Sequence, residues 1–228
     1  MLLNRYVSSL ILLPLAASLA DAESLAAIEA RMDLTAPSFK TVNAKIKKTS
    51  FTKVISDTTS EYGTILMKRA KANDTWVKIE FTGADERVAV FHDKKYESYL
   101  PKMKLVQEYN LAQYGSLVDQ FLLLGFGTSG KALAEKYEIK VVKQEELAGL
   151  QTTRIELTPK SKEAREHLEK IEMWIPEGQS HPLQQKLHFK SGNYDLVTYS
   201  DLKLNGPLSD DMLKLKLPSG VKREFPQR

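Results

Sequence analysis

A chain of 228 residues with a formal charge of +4, 27% charged side chains and 0 Cys has the length for one domain with a substantial core. It has no disulfide framework, and its charges are mixed in sign, without the long basic run interleaved with aromatics that nucleic-acid binding calls for. The Lys47-Lys48 and Lys94-Lys95 pairs read as solvated edge or turn residues.

The first element in the chain is a targeting segment. Arg5 supplies a positive start, residues 7–17 are apolar but broken by Pro14, and Ala20-Asp21-Ala22 has the small-x-small pattern of a cleavage site. The apolar stretch is too short and interrupted for a permanent membrane span. The reading is a cleaved signal peptide over 1–22 and a single exported, soluble, monomeric domain over 23–228 in the periplasm or outside the cell. With 0 Cys the mature chain has no site for acylation of its own N-terminus.

Residues 23–32 carry a helical stripe at Leu25, Ile28 and Met32, ended by Thr35-Ala36-Pro37-Ser38. From Phe39 the period falls to two. Strands are predicted at 39–55, 62–71, 75–82, 87–92, 96–100 and 103–109, with 57–60 as polar turn material. A helix follows at 129–137, then a hairpin of 139–144 and 151–158 about Leu147-Ala148-Gly149, and a polar helix at 161–168 capped by Ser161. Strands at 170–175, 182–190 and 194–204 come next. Residues 213–217 read as a last strand, and the chain beyond Gly220 as frayed. This spacing predicts ten or eleven antiparallel strands and few helices, a mainly β domain.

One segment breaks the alternation. Residues 117–126, Leu117-Val118-Asp119-Gln120-Phe121-Leu122-Leu123-Leu124-Gly125-Phe126, are apolar at nearly every position. A half-wet strand cannot bury all of them. They read as a helix laid over the concave face of a curved sheet, closing a cavity for something apolar. Leu117, Val118, Phe121, Leu122, Leu124 and Phe126 would form the lid, with Ile65 and Met67 on the facing strand.

Other motifs point elsewhere and carry little. Gly125-Phe126-Gly127-Thr128-Ser129-Gly130 matches G-x-G-x-x-G, with Glu145 and Glu146 downstream. The following helix is too short for a doubly wound unit and the chain lacks βαβ order, so the glycines read as a helix end and a hinge. His92, His167, His181 and His188 lack metal-ligand spacing and read as scattered surface residues. Ser50-Phe51-Thr52-Lys53 fits S-x-x-K on a strand, with no K-T-G. Asp210-Asp211 reads as solvated. No metal, cofactor or catalytic set is expected. Arg69 stands apart, because it shares its side of a strand with Ile65 and Met67. A guanidinium there must find acceptors. It either snorkels past the sheet end or latches the exposed carbonyls of the plug helix.

Gly63-Thr64-Ile65-Leu66-Met67-Lys68-Arg69, Trp174-Ile175-Pro176, Gly192-Asn193, the run Tyr199-Ser200-Asp201-Leu202-Lys203-Leu204-Asn205-Gly206-Pro207-Leu208 and Leu217-Pro218-Ser219-Gly220-Val221 occur in this order. Together they resemble the periplasmic outer-membrane lipoprotein carriers, the LolA-like family. The resemblance implies a strongly curved antiparallel half-barrel closed by helices over an apolar cavity, with Arg69 holding the lid closed. It also implies that acyl chains of lipoproteins or lipids are received from an inner-membrane lipoprotein-releasing transporter and passed to an outer-membrane acceptor. Ala70 stands where the family often has Pro. A lipid-binding sensor of the same fold and a secreted enzyme remain the alternative readings.

Overall fold

The computed structural model describes residues 23–71, 74–112 and 124–226. The targeting segment and residues 117–123 of the apolar plug lie outside them. Helix α1 (Leu25–Thr35) leads into a first meander of β1 (Thr41–Thr52), β2 (Asp57–Lys71), β3 (Asp74–Thr82), β4 (Arg87–His92), β5 (Lys95–Leu100) and β6 (Leu105–Asn110). Helix α2 (Gly130–Lys136) precedes a second meander of β7 (Tyr137–Leu147), β8 (Leu150–Pro159), β9 (Leu168–Pro176), β10 (Gln184–Phe189) and β11 (Tyr194–Leu204). Helix α3 (Lys162–His167) bridges β8 and β9, and α4 (Asp210–Leu213) and β12 (Lys222–Glu224) follow.

The twelve described strands form one open, curved sheet in the order β12-β6-β5-β4-β3-β2-β1-β11-β10-β9-β8-β7. The two meanders become one sheet because β11 returns beside β1, pairing antiparallel from Val42 opposite Leu204 to Phe51 opposite Tyr194. Only β12 is parallel to its neighbour, β6, among the described strands.

Local chemistry sets the boundaries. Ser24, Ser129 and Ser161 cap α1, α2 and α3, each side chain accepting from the backbone N–H three residues on, at 3.1–3.2 Å. Ala148 and Gly149 both take positive φ, 53° and 78°, the twist a two-residue hairpin needs between Leu147 and Leu150.

Three expectations are overturned. Residues 57–60 are strand, not turn. The reversal falls one step earlier, in a 3-10 turn at Lys53–Ile55 closed by Ser56 at φ 49°, and the β1–β2 ladder runs out to Thr52 opposite Asp57. Thr and Ser suit an extended ladder with two wet faces, so polarity there does not mean turn. Residues 213–217 are not a strand either, although Leu213, Leu215 and Leu217 alternate. Leu213 ends α4 and is fully buried, and lysines of β2 and β3 hold the residues just before it. Lys68 Nζ donates to Leu208 O and Asp210 Oδ1, and Lys78 Nζ to Met212 O. The end beyond Gly220 is not frayed, since 222–224 extend the sheet as β12.

The concave face carries two apolar clusters. One packs Ile28 and Met32 of α1 and Leu133 of α2 onto Tyr137, Ile155, Leu157, Ile171, Met173 and Ile175 of β7, β8 and β9. The other comprises Val42, Ala44, Ile46, Ile65, Met67, Val77, Phe81 and Tyr199 of β1, β2, β3 and β11, with Phe126 against them.

Candidate functional site

Over the second cluster the described residues do not fill the sheet. A cavity of about 490 Å³ lies between the strands and the segment bearing Leu124 and Phe126, within the range of small-molecule sites. Its walls follow from the two-residue period of strands. Ile65 and Met67 line it from β2, Val77, Ile79 and Phe81 from β3, and Ala89 and Phe91 from β4. Ile46, Tyr96, Leu187 and Val197 continue the lining from β1, β5, β10 and β11.

The roof is a turn. Residues 124–126, the described end of the expected lid helix, are not helical; Gly125 and Gly127 take φ of 78° and 68°. Leu124 and Phe126 are 4% and 2% exposed. Both glycines are also needed for space. A Cβ on Gly127 would stand 2.3 Å from the Phe39 ring, and one on Gly125 would stand 2.7 Å from Met173 Cε. This close packing accounts for the G-x-G-x-x-G pattern without a dinucleotide.

Hydrogen bonds tie the roof to the sheet at two points. At one end Arg69 donates from Nη2 to Gly127 O at 2.8 Å and from Nη1 to Ala36 O at 3.3 Å, with its guanidinium 5.0 Å from the Phe39 ring centroid. Burial pulls its pKa below the ordinary arginine value, which lies far enough above neutrality that the fork stays charged. At the other end Gln185 Nε2 donates to Leu124 O at 2.9 Å, and Gln185 Oε1 accepts from Tyr199 Oη at 2.6 Å. Burial pushes the Tyr199 phenol well up, so it remains a donor at neutral pH. The same ring meets Phe126 edge-on, with centroids 5.0 Å apart.

One end of the cavity is charged. Lys48, Arg87 and Asp195 line it; Arg87 is paired with Glu61, and Lys48 Nζ lies 3.2 Å from Asp195 Oδ2.

Of the residues singled out in the sequence, Ile65 and Met67 stand on the lining, Leu124 and Phe126 in the roof, and Arg69 at the roof's edge. Leu117, Val118, Phe121 and Leu122 lie outside the described residues. The histidines are not all surface residues. His92 lies with its ring centroid 3.8 Å from that of Trp76, His188 Nε2 is 2.7 Å from Glu172 Oε2, and His181 is half-buried, its pKa lowered by desolvation. Among the described residues no group of three or more His, Cys, Asp or Glu has the arrangement of a metal site. Ser50 Oγ donates to Asp195 Oδ1 at 2.6 Å. Asp210 and Asp211 are exposed but pair with Lys68 and Lys216. Nothing in the sequence marks Gln185 and Tyr199 as roof residues, because only the pairing of β10 with β11 brings them together there.

No family model and no curated protein matches the sequence. An uncharacterized conserved protein from Thermus thermophilus matches over 89% of this chain and 99% of its own, at 11% identity and a TM-score of 0.52. The crystal structure of MucB matches over 84% of this chain at 13% identity and a TM-score of 0.51, this chain spanning 62% of its length. A LolA superfamily protein from Nitrosomonas europaea aligns over 85% of this chain and 99% of its own, at 13% identity and a TM-score of 0.40. At these identities the first two likenesses speak to fold alone. Among the described residues no helix is long and apolar enough to cross a membrane. The architecture is an open, curved antiparallel half-barrel, the shape expected from the sequence.

Proposed function

We propose that the protein is an exported carrier that shelters acyl chains of lipoproteins or lipids in this cavity and moves them from the inner membrane towards the outer membrane. The observation that carries the reading is the apolar cavity of about 490 Å³ under a roof held by hydrogen bonds. Each CH₂ sheltered from water is worth about 0.8 kcal/mol, so a long chain does not cross an aqueous compartment unprotected. A closed roof hides the cavity walls when no cargo is present, and cargo competes with the roof for them. Arg69 sets that balance as a latch on the Gly127 carbonyl. Residues 1–22 direct export, 23–228 act as one domain, and the partners are an inner-membrane lipoprotein-releasing transporter and an outer-membrane acceptor. No chemical step is required.

The test has two stages. The purified protein is loaded with a fluorescent long-chain acyl lipid, then mixed with acceptor vesicles or acceptor protein. Saturable loading followed by transfer supports the carrier. Loading without transfer to any acceptor identifies a lipid sensor instead, and no loading removes the acyl-cavity reading altogether.

A further inference from the structure

The inward-facing stripes of four strands change character at the same end of the sheet. On β4, Phe91 and Ala89 give way to Arg87; on β2, Met67, Ile65 and Gly63 give way to Glu61. On β1, Ala44 and Ile46 give way to Lys48, and on β11, Tyr199 and Val197 give way to Asp195. The register sets them on a diagonal, with Glu61 and Lys48 level, Arg87 one inward step to one side and Asp195 one inward step to the other. Arg87 lies opposite Phe81, which lies opposite Gly63; Glu61 lies opposite Lys48; and Asp195 lies opposite Ser50, one inward step from Lys48. Read across the sheet, the row Arg87, Glu61, Lys48, Asp195 alternates in sign.

The row is built and still reachable. Arg87 holds both carboxylate oxygens of Glu61, with Nη2 to Oε2 at 3.0 Å, while its guanidinium sits 4.0 Å from the Phe81 ring centroid. Lys48 and Ser50 hold Asp195. The four charged side chains are 22–27% exposed, so each has been partly taken out of water without being sealed in. Half-buried ion pairs are poor sources of stability, because desolvation offsets much of the attraction. Tails alone need no charge beside them. A head bearing one negative charge meets as many carboxylates as cations here. A head bearing both signs meets a partner for each.

We propose that this row is a headgroup subsite at the end of the cavity, selecting acyl lipids whose head carries a phosphate beside an ammonium group. The inference rests on the acyl-carrier reading and names its ligand class. The phosphate oxygens accept from Arg87 and Lys48, a geometry the planar guanidinium suits. The ammonium donates to Glu61 and Asp195. The tails then run along the β2 stripe towards the roof. From Glu61 to Met67 that stripe spans roughly 20 Å at about 3.3 Å per residue, enough for a chain that fills about half of a hydrocarbon core roughly 30 Å thick.

The experiment compares three lipids with identical acyl chains, each delivered from vesicles to the purified protein. These are diacylglycerol, phosphatidylglycerol and phosphatidylethanolamine. The readout is the ratio of bound zwitterionic lipid to bound neutral lipid, which cancels any loss of folded protein. About a tenfold preference for phosphatidylethanolamine over the other two is expected, the scale of one charge-assisted hydrogen bond. The charge-conserving pair Lys48→Met with Asp195→Met, and separately Arg87→Met with Glu61→Met, should bring the ratio close to one. Equal binding of all three lipids, a preference for phosphatidylglycerol, or a ratio that survives both paired substitutions overturns the subsite while leaving the carrier intact. Binding of none of the three overturns the carrier reading and the subsite with it.

Discussion

The two halves of the concave face are made of the same residue types and end in different states. Over β7, β8 and β9, helices α1 and α2 fill the curve, and Ile155, Leu157, Ile171, Met173 and Ile175 are 0% exposed. Over β2, β3 and β4 nothing of that bulk sits on the sheet among the described residues, and Ile79, Phe91 and Tyr96 remain only partly buried around the cavity. The filled half is a conventional core, close-packed and intolerant of change. The hollow half keeps apolar surface accessible, and the hydrogen bonds of Arg69, Gln185 and Tyr199 tie its closely packed roof to the sheet. Stability is concentrated in one half, and adaptability in the other.

The largest expected effect separates the halves directly. Ile171→Ala removes a fully buried side chain opposite Leu157 and leaves a void in a packed cluster, a loss of about 2–5 kcal/mol in denaturant unfolding. Ile65→Ala, opposite Ile79 on a wall that already borders empty space, should cost clearly less. Equal losses would mean that the second half is packed as tightly as the first.

Next in size is the roof's charged tie. Arg69→Leu removes the donor to Gly127 O and Ala36 O, a charge-assisted pair worth about 1.5–3 kcal/mol. With closure weakened, loading persists and transfer to an acceptor slows, by about tenfold or more. Arg69→Lys keeps the charge without the fork and should fall between the two. Transfer at the normal rate by Arg69→Leu would reduce Arg69 to a sheet-end residue.

A smaller effect is expected at the opposite tie. Gln185→Ala leaves both Leu124 O and the Tyr199 hydroxyl without their partner, costing about 1–3 kcal/mol, whereas Tyr199→Phe removes one hydroxyl and costs about 1 kcal/mol. Both should also raise uptake of an acyl probe, because the closed roof competes less well. Unchanged uptake with lowered stability would make the pair purely structural.

The same contrast explains what could be read ahead of the structure. Alternation alone delimits Arg87–His92 and Tyr194–Leu204, and the capping Ser161 marks the start of α3. Ile65 and Met67 stand on the lining because a stripe of period two has only two faces to choose between. What escaped depends on distant partners. Residues 57–60 are strand because β1 is there to pair with them, and 222–224 are strand because β6 offers an open edge. The leucines at 213, 215 and 217 imitate a strand, but Leu213 closes helix α4, which Lys78 and Lys68 hold at Met212 and just ahead of it. Gln185 belongs to the roof through Leu124. The charged row exists only once Ser50 meets Asp195, 145 positions along the chain.

Backbone hydrogen exchange with and without a long-chain acyl lipid tests the central claim most directly, comparing residues 124–128 of the roof with β8 and β9 of the filled half. If cargo competes with the roof for the cavity walls, loading speeds exchange at 124–128 and leaves the two strands unchanged. Slower exchange at the roof on loading, or the same change in both halves, would contradict the account.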